Sequence, residues 1–466
     1  MRIAIVASVF FSVAAIALGQ TTLYVPDDHA TIQAAIGAAA NGDTIVVRPG
    51  TYVENIDFAG KAVTVIGEKG PERTIVDGNK TDRCFIFQSG EGRNSVLEGF
   101  TITNGDAQGG NGGGIDCTLE SGPTITNCII AGNRAAALGG GIACRGFSHA
   151  KITGCTFINN VSEGAYEGSQ GGGLSCFILS NAIVTDCVFI NNESQWGGGL
   201  DCSGSYPVIT NCVFRGNEAY IGGGAIFCSA ADPTITNCTI VDNNAAIGGG
   251  LVTAGAVLPS YPALANSILW NNSPEEIYIG IGDVTVDFCD VQGGWPGTGN
   301  IDETPSFVDL DSGDFHLNWY SPCRDAGYNG AVSATADYEG DRRIALGRVD
   351  MGADEYYYHL YHKGDVIPGA SISLRVIGYP DAPVLLALGS GLLSTPISTE
   401  HGDLWLAWPP LWQGTVGIVA PNGLLSFPAT VPAGWTPGAE FTLQALVGPW
   451  GGPLAQLTNA ETLVVE

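Results

Sequence analysis

Apolar residues recur along the centre of this chain in two short frames that return about every 26 residues. The first frame opens on a glycine triplet: Gly112–Gly114, Gly139–Gly141, Gly171–Gly173, Gly197–Gly199, Gly222–Gly224 and Gly248–Gly250. Most triplets lead into two apolar positions one residue apart, as in Ile115/Cys117, Ile142/Cys144, Leu174/Cys176, Leu200/Cys202 and Ile226/Cys228. The second frame starts at Pro123, Ala150, Ala182, Pro207, Pro233 and Pro262 and reduces to Ile-Thr-Asn-Cys-x-Phe-x-x-Asn. It closes on Asn133, Asn160, Asn192, Asn217, Asn243 and Asn272.

Side chains of a strand alternate between faces, so Ile115 and Cys117 share one side, as do Cys155 and Phe157. Between the isoleucine and the cysteine of the second frame the parity switches, which demands a bend. The residue there is Asn127, Gly154, Asp186, Asn211, Asn237 or Asn266, each a type that tolerates turn conformations. Each repeat therefore predicts three short strands with small, apolar or thiol residues facing inward. A repeat this short cannot bury its own apolar side and must stack on its neighbours, strand over strand at ~4.8 Å. The glycine triplets fall at a corner that admits no side chain or needs positive φ. A propeller blade is longer, and a leucine-rich horseshoe would carry a leucine ladder. The expected fold is all-β: a right-handed parallel β-helix, with a small β-sandwich-like domain after it.

Ahead of the repeats, Ile32, Ala35, Ile36 and Ala39 make one helical face that ends at Asn41-Gly42. This predicts a short N-terminal helix capping the open end of the solenoid. The glycine triplets and Phe-x-x-Asn frames, over Gly109 to Asn272, resemble the repeats of polymorphic outer-membrane proteins within the pectin-lyase-like superfamily. The segment from Thr31 to Tyr52 is similar to the usual start of such bacterial β-helices. Thr304-Pro305-Ser306-Phe307, Asp314 to Leu317 and Asp350 to Glu355 resemble their closing segment. The resemblance implies a rigid extracellular rod, often an adhesin, in a superfamily that also cleaves polysaccharides.

The expected division is a signal peptide over 1–19, the β-helix with its cap and closing segment over 20–356, and a β-sandwich-like domain over 357–466. Arg2 followed by an apolar run to Leu18 and small residues up to Gly19 carries the first of these. No later apolar stretch is long enough to span a membrane. A secreted or cell-surface chain without a transmembrane segment in its mature part is therefore expected. The formal charge of −28, with 18 Lys and Arg, excludes nucleic acid as a partner. It also opposes tight binding of acidic polysaccharide unless a divalent metal bridges the two.

Ten of the thirteen cysteines form two ladders, one through Cys117 to Cys228 and the other through Cys128 to Cys238. Parallel Cβ vectors nearly 5 Å apart exceed the ~3.8 Å a disulfide prefers, so buried thiols are expected. Bridges across one coil stay geometrically open. For catalysis, paired carboxylates at ~5–9.5 Å are needed. Asp116 and Asp201 hold equivalent positions after their triplets but sit three coils, about 14 Å, apart. Arg145 and Lys151 are the cationic candidates, and neither has an acidic cluster at matching positions. Asp309, Asp311 and Asp314 resemble half of an oxygen-rich calcium loop, or else a turn whose aspartates cap amides. Calcium is the one cofactor in view. Trp405, Trp408 and Trp412, in a proline-rich stretch that reads as a loop, either stack on sugars or form a core. The histidines, His316 among them, are scattered. The expected function is a non-enzymatic extracellular binding or adhesion scaffold whose partner is a polysaccharide or a surface protein. The alternative is a polysaccharide lyase or glycoside hydrolase working in a groove along the coil.

Overall fold

The computed structural model describes residues 20–466 except 165–167, 256–257, 345–346, 358–359, 364–365, 379–381, 390–391, 400–401, 407–411, 421–423, 434–438, 449–455 and 465–466. The expected leader lies outside the described residues.

The repeats wind into an all-β parallel solenoid of about ten turns. Between Asp106 and Ile247 the chain visits four sheets in each coil rather than three. Sheet 1 has eleven strands and carries the Ile-Thr frame (Thr124–Thr126, Lys151–Thr153, Ile183–Thr185 and their equivalents). Sheet 2, with ten, carries the Cys-x-Phe frame, as in Thr156–Ile158 and Val188–Ile190. Sheet 3, with six, runs from Asp106–Ala107 to Asn244–Ile247. Sheet 4, with nine, carries the frame after the glycines, from Ile56–Asp57 to Ile277–Ile279. The additional sheet 3 follows from the closing asparagines, which hold the chain after them in register.

The bend residues behave as their types predict. Asn127, Gly154, Asp186, Asn211, Asn237 and Asn266 all have φ between 50° and 62°. A second left-handed position precedes each closing asparagine, for example Asn159 and Asn191. At the triplets, Gly197 has φ +65°, and a Cβ on Gly198 would meet Glu218 O at 2.4 Å and Gly224 O at 2.6 Å. One triplet is shifted. Gly223 takes the left-handed position there, Ala225 replaces the third glycine, and Gly222 falls in a register irregularity of sheet 3.

Identical residues stack inside. Phe157, Phe189 and Phe214 lie face to face at 4.4 and 4.6 Å, tilted by 5° and 4°. All thirteen cysteines are free and buried, and burial pushes the thiols of Cys128, Cys155 and Cys212 well up. Each buried closing asparagine donates Nδ2–H to the Oδ1 of the next: Asn133 to Asn160, Asn160 to Asn192 and Asn192 to Asn217, each at 3.0 Å. Asn217 to Asn243 and Asn243 to Asn272 follow at 2.9 and 2.8 Å. Asn272 donates to the carboxylate of Glu276, which burial raises to about 7. Buried amides left unpaired cost ~1–3 kcal/mol each, so the relay matters as a whole. A second relay, of serines, turns the corner from sheet 4 to sheet 1: Ser148 N donates to Ser180 Oγ and Ser180 N to Ser205 Oγ, both at 3.1 Å.

Helix α1, Ile32–Ala38, caps the first coil with Ile32, Ala35 and Ile36 buried. Thr31 Oγ1 accepts from Ala34 N, and the Glu54 carboxylate accepts from Ile32 N and Gln33 N. Beyond the last coil, residues 302–356 fold back along sheet 2. Phe315 and Ala353 pack on Val213 and Val241. Asn211 Nδ2 donates to Ala336 O at 2.8 Å, and Gly352 N to Asn266 O at 2.8 Å. Leu360 onward forms antiparallel sheets of three, four and two strands, consistent with a small β domain. No helix among the described residues is long and apolar enough to cross a membrane.

Candidate functional site

The outer side of sheet 4 holds three of the four candidate catalytic positions. Strand register places Asp116 beside Ala143, Ala143 beside Ser175, and Ser175 beside Asp201. The two aspartates are therefore three coils apart, as the spacing predicts. Asp116 is fully buried and held by two guanidinium groups. Arg145 Nε and Nη2 donate to Oδ1 and Oδ2 at 3.0 and 2.9 Å, and Arg83 Nη1 donates to Oδ2 at 2.6 Å. No acidic cluster stands at positions matching Arg145 in register, but a single aspartate lies within its reach. The Arg145 side chain reaches one coil down to Asp116, a distance that matching strand positions do not register. Lys151 belongs to a different face: it is exposed on sheet 1 between Thr124 and Ile183.

Asp201 is also fully buried. Ser203 Oγ donates to Oδ1 at 2.6 Å and Ser175 Oγ to Oδ2 at 2.8 Å. Burial pushes its pKa up to about 7, against the lowering by the two hydroxyls. Each aspartate is thus saturated by its own donors, and about 14 Å separates them at the strand spacing. That distance exceeds what acid/base work between two carboxylates requires.

The acidic run beyond the solenoid is a tight hairpin. Asp309 ends the strand Phe307–Asp309, and its Oδ1 accepts from Ser312 N at 3.3 Å across the 3-10 turn Leu310–Ser312. Asp311 lies in that turn, and its carbonyl accepts from Arg215 Nη2 at 3.0 Å. Asp314 Oδ1 bonds His316 Nδ1 at 2.6 Å, and the other ring nitrogen meets Glu339 Oε2 at 3.0 Å. Arg375 Nη1 stands 3.4 Å from Asp309 Oδ2 and 3.8 Å from Asp314 Oδ2. Among the described residues no group of three or more His, Cys, Asp or Glu is placed to hold a metal ion. The role of His316 was not legible from its isolated position, because its partner Glu339 is 23 residues away.

Trp405 lies in the strand Gly402–Leu406 and Trp412 opens the strand Trp412–Ile418, so both belong to strands rather than to the loop that their proline-rich setting suggests. Trp408 lies outside the described residues.

A further surface, not marked by any sequence motif above, runs along sheet 1 and its entry turn. Tyr206, Asp232 and Tyr261 hold equivalent positions on successive coils, each one residue ahead of the proline that opens the second frame. Tyr206 and Tyr261 are 44% and 55% exposed and stand about 10 Å apart at the strand spacing. The adjoining outward rank is Ile183, Val208, Thr234 and Ala263, all exposed and uncharged. On its other flank Phe147, Ile178 and Leu179 are exposed in left-handed turns, a conformation costly for a β-branched residue such as Ile178. The sequence signal was present in Ser-Tyr-Pro, which occurs at Ser205–Pro207 and again at Ser260–Pro262.

Comparison with known proteins bears on the fold. The family model of the right handed beta helix region matches residues 25–218 and 139–268, together just over half of the chain. A solved structure of a pectin methylesterase mutant in complex with hexasaccharide IV is 10% identical, covering 62% of this chain and 93% of that one, with a TM-score of 0.29. No curated protein sequence matches the chain.

Proposed function

The chain belongs to the right-handed β-helix family, and from that premise we propose that it is an exported, non-enzymatic scaffold binding an extended, uncharged polysaccharide along sheet 1. The observation that carries the reading is the pair of exposed tyrosines, Tyr206 and Tyr261, two coils apart beside the uncharged residues Val208, Thr234 and Ala263. Aromatic rings stack on the apolar faces of sugars, and a rigid coil fixes their spacing without loss of conformational entropy on binding. The net charge of −28 favours a neutral polymer over an acidic one. Catalysis finds less support, because Asp116 and Asp201 are each saturated and far apart.

A second reading, a carbohydrate-active enzyme, draws on one contact, the Arg145 guanidinium held on Asp116. One experiment separates the two. The purified chain is incubated with neutral and acidic polysaccharides, with and without calcium, and bound protein, new reducing ends and unsaturated products are measured together. The scaffold reading expects binding without cleavage, weakened about tenfold by Tyr206→Ala or Tyr261→Ala, the loss of ~1.4 kcal/mol expected for one stacking ring. Cleavage abolished by Asp116→Asn would replace it with the enzyme reading.

A further inference from the structure

The corner that leads into sheet 1 repeats its chemistry every second coil. Two positions ahead of the strand stand Asn181 before Ile183, Tyr206 before Val208, Asp232 before Thr234, Tyr261 before Ala263 and Asp283 before Thr285. Strand pairing sets these five positions over one another on successive coils. The order is therefore amide, ring, carboxylate, ring, carboxylate. The core does not dictate it, because both tyrosines and both aspartates are exposed.

The polar members between the rings are held in place by the backbone. Asn181 Oδ1 accepts from Tyr206 N, and Asp232 Oδ1 accepts from Tyr261 N, both at 2.8 Å. Those bonds leave Asn181 Nδ2 and Asp232 Oδ2 without a partner among the described residues, and the two tyrosine hydroxyls have none either. A donor and an acceptor fixed beside exposed rings lose little freedom when a ligand arrives.

We infer that the polymer taken up here is a β-1,4-linked hexopyranose chain lying parallel to the solenoid axis, with one sugar on each coil. The inference rests on the polysaccharide-binding reading given above and names the linkage. Successive coils are ~4.8 Å apart, close to the advance per sugar of such a chain. Each of its rings is turned half a revolution from the last, so the same face and edge return at every second sugar. That period is the period of Tyr206 and Tyr261, whose rings stack on the apolar sugar faces. The sugar between them, turned over, offers a hydroxyl to Asp232 Oδ2. Chains of other linkage do not keep this step: an α-1,4-linked chain curls and a β-1,3-linked chain winds, so both leave a straight row of coils. Uronic acid chains are repelled by the carboxylates of Asp232 and Asp283.

Isothermal titration calorimetry with soluble oligomers of equal length tests the proposal, setting β-1,4-linked glucose and mannose against α-1,4- and β-1,3-linked glucose. The β-1,4-linked chains should bind about tenfold tighter or better. Tyr206 and Tyr261 lie two coils apart, so a trisaccharide is the shortest ligand that reaches both. Affinity should therefore step up about tenfold from disaccharide to trisaccharide, and the step should vanish in Tyr261→Ala. Asp232→Ala should weaken the longer β-1,4 oligomers about fivefold, as for one lost hydrogen bond. Val53→Lys, exposed on sheet 2, should change nothing. The comparison of linkages uses the unaltered chain and decides even where a variant misfolds. Another linkage bound as tightly through the same tyrosines, or a disaccharide bound as well as its longer homologues, overturns the inference and leaves the polysaccharide scaffold standing. No binding of any oligomer, or binding untouched by Tyr206→Ala and Tyr261→Ala, overturns both.

Discussion

From Asn133 to Asn272 the solenoid makes one side-chain hydrogen bond over and over, with donor, acceptor and geometry alike in each coil. The segment 302–356 that folds back over it is built the opposite way. There Arg343 is buried with its Nη atoms donating to three carbonyls, those of Asp350, Gly352 and Ala353. Asp337 Oδ1 gathers the amides of Glu339, Gly340 and Asp341, and His316 sits between two carboxylates. Among the described residues of the segment these contacts follow no repeat spacing. Repetition spreads order along an axis, so a fault harms the coils on both sides of it. A set of unique contacts confines a fault to the one place it serves.

The largest test of this contrast is Asn192→Leu. It leaves the Asn160 N–H and the Phe157 carbonyl without their buried partners and should cost about 4 kcal/mol in chemical denaturation. Hydrogen exchange should rise in the coils above and below, not in 302–356. A loss confined to the mutated coil would break the comparison.

His316 tests the other half. Burial alone would lower its pKa, but the carboxylates of Glu339, Asp354 and Asp314 outweigh burial and hold the imidazolium well above the usual value. Because the folded pKa is raised, its contribution is complete below about 6.5 and is lost as pH rises through the raised value. Residues 302–356 should therefore loosen on the alkaline side, read by hydrogen exchange. His316→Leu should remove that dependence and cost roughly 3 kcal/mol, as for a broken buried pair. Alkaline loosening that persists in the variant would point to another group.

The smallest effect is expected at Cys187→Ala, about 1 kcal/mol for the lost sulfur volume in a rung that its neighbours still frame. The folded chain should also leave its thiols unmodified by an aromatic disulfide reagent until denaturant is added, since all thirteen are buried. Rapid modification of folded protein would show that the coils open.

The same contrast explains what the sequence disclosed. Residues that recur in register announced their roles: the bends at Asn127 and Asn237, the capping face of α1 and the coil separation of Asp116 from Asp201 were legible. The serine relay had a signal too, a serine two residues ahead of Ala150, Ala182 and Pro207, but its function appears only when Ser148 N is seen to reach Ser180 Oγ. Arg145 on Asp116 escaped because a long side chain crosses between coils without changing register. The contacts of 302–356 escaped because they join residues with no periodic relation, such as Asn211 with Ala336 and Thr239 with Ala353.

The asparagine relay has a direction. Each amide presents its oxygen toward the first coil and one N–H toward the next asparagine, while the other N–H donates to a carbonyl of the preceding coil, so no single side chain can flip without opposing donor to donor at one neighbour and acceptor to acceptor at the other. The row behaves as one aligned dipole whose positive pole lies at Asn272, where the chain supplies the carboxylate of Glu276. An anion belongs at that pole and would be repelled at the other, where the Oδ1 of Asn133 instead accepts from Gly105 N. The rod thus has an electrical polarity along its axis that follows from the order in which its coils are laid down.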